Sequence, residues 1–387
     1  MTPTGDIDEG VLDDVDALER LDPGDMLRAV ASAGSQVREG LLVAEEAGSL
    51  LGQLAEDGRP RAVVITGMGG SGIVGDVAAA VAGRSCPLPV VANRSPRLPG
   101  WVGSMDLVLA VSASGTTQET LSAAEEAVHR GARVVTVGAA GSTLAELAGA
   151  GRALHLPVET HGRMPRACLW ALAVPVLTVL TAADVVATPP EVLAVLADEL
   201  DTLAESCGPG VLSVDNPAKK LALELAGTLP YFWGASDLAA VAATRALCQL
   251  AENAKHPAVS GALTEVHHNQ VVVLAGPYGE LAAADAGDLF RDRVDEAPGR
   301  PLVRVVVLRD TDELPEVAAR ADATHPLAER YGVATSELRA VGEHPVLRLG
   351  GLVGLLDYAS VYLALGLGID PTPITPIAVL KTEGGPG

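Results

Sequence analysis

Aromatic residues are scarce in this sequence, and its cysteines are few and scattered. Phe, Trp and Tyr make up 3% of the 387 residues. The cysteines are Cys86, Cys168, Cys207 and Cys248, and no two of them form a C-x-x-C pair. Zinc-site spacing is therefore absent, and a disulfide framework is not expected in a chain of this length. The dominance of Ala, Val, Leu and Gly favours an α/β protein packed by small aliphatic side chains.

Basic residues are also in deficit, with 27 Lys and Arg against 49 Asp and Glu and a formal net charge of −22. Nucleic-acid binders carry basic surfaces, so nucleic acid is not expected as a partner. An acidic surface repels anionic membranes and anionic substrates alike. An anionic ligand would have to be captured locally, by backbone N–H groups, hydroxyls and a few cations.

Long membrane-spanning or secretory segments are not evident. The start, MTPTGDIDEG, has neither a basic nor an apolar region of the kind found in signal peptides. The longest apolar stretch, 168–185, contains Pro175 and Asp184, so we predict a buried helix there and not a membrane span. We therefore expect a cytoplasmic protein without a membrane partner.

Short apolar runs alternate with helical segments along most of the chain. We predict strands at 61–67, 87–93, 106–114, 132–138 and 152–158, and, after Asn216, at 229–234, 271–276 and 302–308. This alternation predicts an α/β fold with two doubly wound parallel sheets flanked by helices. The predicted division is a helical arm (1–45), a first domain (46–205) and a second domain (206–387), with an exposed acidic excursion at 278–300.

Two segments rich in glycine or hydroxyl groups follow predicted strands. They are G-M-G-G-S-G-I-V-G at 67–75 and S-A-S-G-T-T-Q-E-T at 112–120. Ligands of open α/β sheets bind beyond the carboxyl ends of the strands, where helix N-termini offer N–H groups to a phosphate. A simple helix N-cap is the alternative for any one hydroxyl of the second segment. The two segments together predict an anion site.

A dinucleotide is the rival ligand, because residues 67–72 also fit G-x-G-x-x-G. The next strand ends in Ala92-Asn93-Arg94, without the acid that would hold a ribose. Arg94 leaves NADP open, and with it an oxidoreductase. No Walker lysine follows the glycines, so P-loop chemistry is not expected.

The second segment resembles the phosphate loop S-x-S-G-x-T of the SIS (sugar isomerase) domain at Ser112, Ser114, Gly115 and Thr117. Further motifs resemble the bifunctional phosphoglucose/phosphomannose isomerases, in order from roughly residue 45 to residue 381: G-M-G-G-S-G-I-V-G-D at 67–76, P-R-A at 165–167, E-N-A-K-H-P-A at 252–258, H-N at 268–269 and the ending at 357–381. The resemblance implies two SIS domains, an active site between them and a homodimer. It also implies interconversion of glucose 6-phosphate or mannose 6-phosphate with fructose 6-phosphate, without metal or cofactor.

The same resemblance implies a role for particular residues. The expected phosphate ligands are Gly70, Ser71, Ser112, Ser114 and Thr117. The expected catalytic residues are Glu252, His268, Arg166 and Lys381. Isomerisation needs ring opening and then a proton shuttle between C1 and C2 through a cis-enediol. Glu252 would be the base for the shuttle, and Arg166 would stabilise the enediolate.

Ring opening would use His268, donated by the partner subunit, with help from Lys381. His267 competes with His268 for this role, and on a strand the two would face opposite sides, which disfavours a metal site. Thr372 and Thr375 are both candidates for the hydroxyl that accepts the two C2 epimers. Thr116 stands where the family commonly has Asn. A non-catalytic sugar-phosphate sensor is a further alternative, which the presence of all four catalytic residues disfavours.

Overall fold

The computed structural model describes residues 7–281 and 302–383. These residues form two compact units. The first unit contains 28–202, 344–347 and 374–383, and the second unit contains 7–27, 203–281, 302–343 and 348–373. The predicted domain boundaries at 45/46 and 205/206 stay predictions. Most of the predicted acidic excursion at 278–300 lies outside the described residues.

The N-terminal segment is helical. Its helices are α1 (Glu9–Leu12), α2 (Val15–Leu21), α3 (Met26–Ala31), α4 (Ala33–Glu46) and α5 (Gly48–Glu56). Aspartate side chains cap the N-termini of several of these helices, as Asp8 does for α1 and Asp14 for α2. The Asp22 carboxylate accepts hydrogen bonds from the N–H groups of Met26 (2.9 Å) and Leu27 (2.8 Å), which satisfies two donors in the first turn of α3.

The first unit contains a five-stranded parallel sheet with the strand order β2-β1-β3-β4-β5. The strands are β1 (Val63–Thr66), β2 (Val90–Asn93), β3 (Leu107–Ser112), β4 (Arg133–Gly138) and β5 (Leu154–Pro157). The helices among them are α6 (Gly69–Ala82), α7 (Gln118–His129) and α8 (Thr143–Ala150). The doubly wound parallel sheet predicted here is confirmed.

The core of this sheet explains its sequence pattern. Val64, Val108 and Val134 pack with Ala123 and Ala127 of α7 in one buried cluster. Strand β3 is buried along its whole length, as expected of a central strand covered on both faces. The order reverses between β1 and β3, so a crevice forms beyond the carboxyl ends of these two neighbouring strands. That crevice lies where the two predicted phosphate segments begin.

Helices α9 (Leu169–Ala182) and α10 (Pro190–Ser206) follow the first sheet. Helix α9 covers most of the long apolar stretch of the sequence, and nearly all of its residues are buried. It packs on α4 and α6. The prediction of a buried helix is confirmed.

The second unit contains a four-stranded parallel sheet with the order β7-β6-β8-β9. The strands are β6 (Thr228–Gly234), β7 (Val259–Ala262), β8 (Leu302–Arg309) and β9 (Ala334–Arg339). The helices are α11 (Pro217–Leu225), α12 (Asp237–Gln249), α13 (Leu263–Val266) and α14 (Pro315–Arg330). A second parallel α/β sheet is thus also confirmed.

The strand predicted at 271–276 is wrong. Gln270–Ala275 forms a 3₁₀ helix, whose start is fixed by the Asn269 side chain accepting the Gln270 N–H (2.6 Å). Leu274 is buried and Val271 and Val273 pack against the same core cluster, so the apolar run fills the core without pairing. The strand beside β6 is instead the less apolar segment Val-Ser-Gly-Ala of β7.

Two helices close the described chain, α15 (Pro345–Gly366) and α16 (Thr375–Glu383). By length and composition α15 is apolar enough to cross a membrane, but 89% of its apolar window is buried inside the structure. Burial at this level is typical of the core helix of a globular unit.

Candidate active site

The first predicted phosphate segment runs from β1 into α6. The first N–H groups of a helix, here those of Gly69 and Gly70, precede its regular hydrogen bonds and can face an anion. Ser71 is buried, and its hydroxyl accepts a hydrogen bond from the Ala113 N–H at 3.1 Å. Since Ala113 follows β3, this bond ties the two predicted segments together.

The second segment turns tightly after β3. Ser112 is buried, and its hydroxyl oxygen lies 3.1 Å from both the Gly115 amide nitrogen and Thr117 Oγ1. Gly115 has φ +65°, and a Cβ there would lie 2.0 Å from Ser142 Oγ, so only glycine fits. Three hydroxyls therefore line one turn at the crevice: Ser112, Ser114 and Thr117.

The simple N-cap interpretation of this segment fails at Thr117. Thr117 occupies the N-cap position of α7, but its side chain accepts no N–H there and contacts Ser112 instead. Ser114 is exposed, and its oxygen accepts hydrogen bonds from the Thr116 hydroxyl (3.1 Å) and N–H (3.3 Å). Thr116, the departure from the common loop sequence, thus supports Ser114 and leaves the turn intact.

Arg166 lies beside the first segment, on the short 3₁₀ helix Pro165–Ala167. A Cβ on Gly70 would lie 2.8 Å from the Pro165 carbonyl carbon and 2.9 Å from the Arg166 nitrogen. Only glycine allows this approach, which brings a buried guanidinium residue next to the anion crevice. The buried Gln36 amide fixes the turn, donating to the Ala167 carbonyl (2.8 Å) and accepting from the Ala171 N–H (3.3 Å).

The corresponding edge of the second sheet is built differently. Ser236 follows β6, and its hydroxyl donates to Asp310 Oδ2 (2.8 Å), just beyond β8. Asp310 Oδ1 lies 2.7 Å from Arg348 Nε. The hydroxyl and the cation are engaged by the protein's own carboxylate, so the first unit is the one suited to an external anion.

Glu252 lies where α12 gives way to a π-helical turn, Leu250–Ala254. The Glu252 side chain is half-buried. The turn ends at Lys255, which adopts the left-handed conformation with φ +54° and ψ +29°. Single π turns often occur at functional sites, where they redirect a side chain.

A buried polar network holds this turn. Asn253 is fully buried, and its amide donates to Ser360 Oγ on α15 (2.9 Å). Ser360 Oγ in turn donates to the Asp357 carbonyl (2.7 Å). The Asp357 carboxylate accepts from Arg245 of α12, with Nη2 at 2.6 Å and Nε at 2.9 Å. Residues that precede and follow Glu252 in the chain, Arg245 and Asn253, are thus both hydrogen-bonded to α15. These bonds fix the backbone at Glu252.

The two histidines occupy a turn after α13, so the strand geometry used to weigh a metal site does not apply to them. His267 is half-buried, with Nε2 3.1 Å from Thr324 Oγ1 and its ring edge-on to Trp233 at 6.1 Å between centroids. Burial lowers the pKa of His267, and the charges of Arg320 and His268 lower it further. His268 is exposed. The structure therefore gives His267 a packing role and leaves His268 accessible.

The remaining predicted site residues lie near the C-terminus. Thr372 follows α15, its N–H donates to Asp370 Oδ1 (2.9 Å), and its side chain packs so closely on Gly24 that a Cβ there would lie 2.0 Å from its Oγ1. Thr375 is exposed at the start of α16, which also carries Lys381. Thr372 belongs to the second unit with Glu252 and His268, whereas Thr375 and Lys381 belong to the first.

The described residues also bear on the two rival ligands, NADP and a metal ion. Arg94, the residue that would suit NADP, forms an ion pair with Asp76 of α6. Among residues 7–281 and 302–383, no group of three or more His, Cys, Asp or Glu side chains is arranged to hold a metal ion. The described crevice offers hydroxyls, amides and a buried arginine, which are donors suited to a phosphate.

The chain is similar to known sugar-phosphate isomerases. Residues 214–383 match the family described as the bacterial phospho-glucose isomerase C-terminal SIS domain. A bifunctional phosphoglucose/phosphomannose isomerase of Caldicellulosiruptor bescii is 32% identical over 321 residues, which cover 83% of this chain and 88% of that protein. The protein of that name from Aquifex aeolicus is 30% identical over 332 residues, covering 85% and 92%. The crystal structure of tagatose-6-phosphate ketose/aldose isomerase from Escherichia coli superposes with a TM-score of 0.62 at 14% identity, covering 90% and 95%, and shares the fold.

The contrast between the two histidines generates a stability prediction. His267→Asn should lower the free energy of unfolding by about 1–2 kcal/mol, because a hydrogen bond and an aromatic contact are lost. His268→Asn should leave it unchanged, since His268 is exposed. Urea unfolding of both variants at pH 7.5 is the measurement, and equal stabilities would contradict the packing role.

The contribution of His267 to the free energy of unfolding should decrease as the pH falls. The pKa of His267 is lower in the folded protein than its ordinary value of 6.5. As the pH falls below 6.5, the unfolded chain takes up a proton that the folded chain resists, so the wild type loses stability. His267→Asn lacks this contribution. The stability gap between wild type and variant should therefore shrink from pH 7.5 to pH 5.5, and a gap that widens would refute the assignment.

Proposed function

Because the chain belongs to the bifunctional phosphoglucose/phosphomannose isomerase family, we propose that it interconverts glucose 6-phosphate and mannose 6-phosphate with fructose 6-phosphate. The observation that carries the proposal is the crevice of hydroxyls at the ends of β1 and β3, joined by the Ala113–Ser71 hydrogen bond. The buried Arg166 beside it adds a positive charge in a chain of net charge −22.

The phosphate of the substrate binds in this crevice. Gly70 contributes a helix N-terminal N–H, and the hydroxyls of Ser71, Ser112, Ser114 and Thr117 contribute neutral donors. Hydroxyls and amides are neutral donors, so they bind the phosphate dianion without adding a charged side chain near the groups that transfer protons. Phosphate binding far from the reacting carbons supplies the orientation that makes the proton shuttle efficient.

Glu252 is the base that moves the proton between C1 and C2. Its backbone is fixed by the Asn253–Ser360 hydrogen bond, which supports the constant geometry that proton transfer needs. The Arg166 guanidinium stabilises the negative charge of the enediolate. Both aldoses give the same cis-enediol, but their C2 hydrogens lie on its opposite faces, so a single base serves both epimers by meeting the enediol in two orientations.

Ring opening is assigned to His268, assisted by Lys381. We place His268 in the site of a partner subunit, which makes the active form a homodimer in the cytoplasm. The exposure of His268 supports this assignment, as does the neighbouring Val272, 72% exposed on the surface of the described unit. Thr372 is favoured over Thr375 as the epimer-tolerance hydroxyl, because it shares a unit with Glu252.

The base assignment is tested with a coupled assay in the presence of EDTA. Glu252→Gln should lower kcat for both aldose phosphates by about 10²–10⁴-fold, the usual contribution of a general base, while KM changes little. Glu316→Gln, an exposed glutamate in the first turn of α14, is the matched control and should retain full activity. Wild-type turnover with an equally active Glu252→Gln would remove Glu252 as the base.

The shared site is tested by subunit complementation. Glu252→Gln and His268→Asn chains carrying different tags are co-expressed, and doubly tagged protein is isolated. Each chain alone should be inactive, whereas the mixed dimer has one site with both residues intact and should recover about half of the wild-type activity. Absence of recovery would mean that Glu252 and His268 act within one chain.

A further inference from the structure

Lys255 is an exposed residue whose ammonium group contacts four backbone carbonyls. Its ammonium nitrogen lies 2.8 Å from the Glu252 carbonyl oxygen and 3.1 Å from that of Asn253. On its other side it lies 3.2 Å from the carbonyl oxygens of both Asp370 and Pro371. A single cation therefore bridges the end of the π turn and a distant turn more than a hundred residues along the chain.

The backbone of Lys255 is consistent with this bridging role. Its left-handed conformation, at φ +54°, is a position that glycine usually occupies at a helix end. A lysine adopts it at an energetic disadvantage, and its ammonium forms hydrogen bonds that a glycine could not. A cation beside the last carbonyls of a helix is favourable, since these carbonyls carry partial negative charge.

Both turns that Lys255 joins carry site residues. The π turn carries Glu252, whose own carbonyl accepts the ammonium. The second turn leads directly into Thr372, whose N–H is held by Asp370 Oδ1 at 2.9 Å. Any shift between these turns would change the separation of the base and the hydroxyl.

We propose that Lys255 is a positioning residue that sets Glu252 and Thr372 at a fixed distance. This inference rests on the proposed isomerase function. Lys255 takes no proton and touches no substrate; it determines where the base stands relative to the hydroxyl that meets C2. Its loss should therefore affect proton transfer and the discrimination between C2 epimers, and leave phosphate binding in the first unit intact.

The test begins with Lys255→Met, which keeps the length of the side chain and removes the charge. We expect kcat to fall by about 10- to 100-fold, the usual effect of displacing a catalytic group by about an ångström, with KM within about threefold of wild type. The ratio of kcat/KM for glucose 6-phosphate to that for mannose 6-phosphate should shift by at least about threefold. Lys220→Met, an exposed lysine of α11 in the same unit, is the matched control and should change neither quantity.

A double-variant cycle separates positioning from general stability. If Lys255 acts through Glu252, Glu252→Gln and Glu252→Gln/Lys255→Met should have the same residual kcat. A further fall of tenfold or more in the double variant would assign Lys255 a merely structural role and overturn the proposal. Lys255→Arg keeps the charge and is taken through the same cycle, so that the comparison can be made even where the methionine variant does not fold.

The failures of the two proposals are distinguishable. A wild type that turns over neither sugar phosphate refutes the isomerase function, and the positioning role with it. An active wild type whose Lys255→Met and Lys255→Arg variants keep its kcat and its epimer ratio refutes the positioning role alone.

Discussion

One hydrogen bond, from the Ala113 N–H to the Ser71 hydroxyl at 3.1 Å, joins the two loops on which the proposed chemistry depends. It forms because β1 and β3 are neighbours at the point where the strand order reverses, so their carboxyl ends open into one crevice. Gly70 then lets the Arg166 turn approach the same crevice. The proposed phosphate site thus depends on the topology of the sheet, because the loops that carry the hydroxyls and amides leave β1 and β3 where the strand order reverses.

The two parallel sheets use the same edge for different purposes. In the first unit the edge offers hydroxyls and helix N–H groups to an outside anion. In the second unit Asp310 takes the place of such an anion, accepting from Ser236 and pairing with Arg348. The second unit instead devotes its polar groups to holding the π turn of Glu252, through Asn253, Ser360 and Lys255. In the proposed mechanism, phosphate binding uses residues of the first unit and the proton-transfer base comes from the second.

Apolar runs that end in glycine or serine predict the first sheet well, because buried parallel strands are continuously apolar and their loops carry the ligand groups. The same reasoning fails at 271–276, where an apolar run fills the core as a 3₁₀ helix and the pairing goes to Val259–Ala262. Local pattern does not encode which segment lies beside β6, since that depends on the crossover through α12. The π turn and the contacts of Lys255 likewise could not be predicted from the sequence. They depend on hydrogen bonds to residues more than a hundred positions away, such as Asn253 to Ser360 and Lys255 to the Asp370 carbonyl. The roles of Glu252 and His268 come from family resemblance and remain predictions.

In the proposed mechanism, the first-unit loops hold the phosphate while Glu252 moves the proton. The most direct measurement is calorimetric titration of fructose 6-phosphate into Glu252→Gln, with and without Ser114→Ala. We expect wild-type affinity for Glu252→Gln and a Kd raised about tenfold or more when Ser114 is also changed, because a hydrogen bond to a charged phosphate is lost. Ser122→Ala, a half-buried serine on α7, is the control and should change nothing. Equal affinity with and without the Ser114 hydroxyl would contradict the claim.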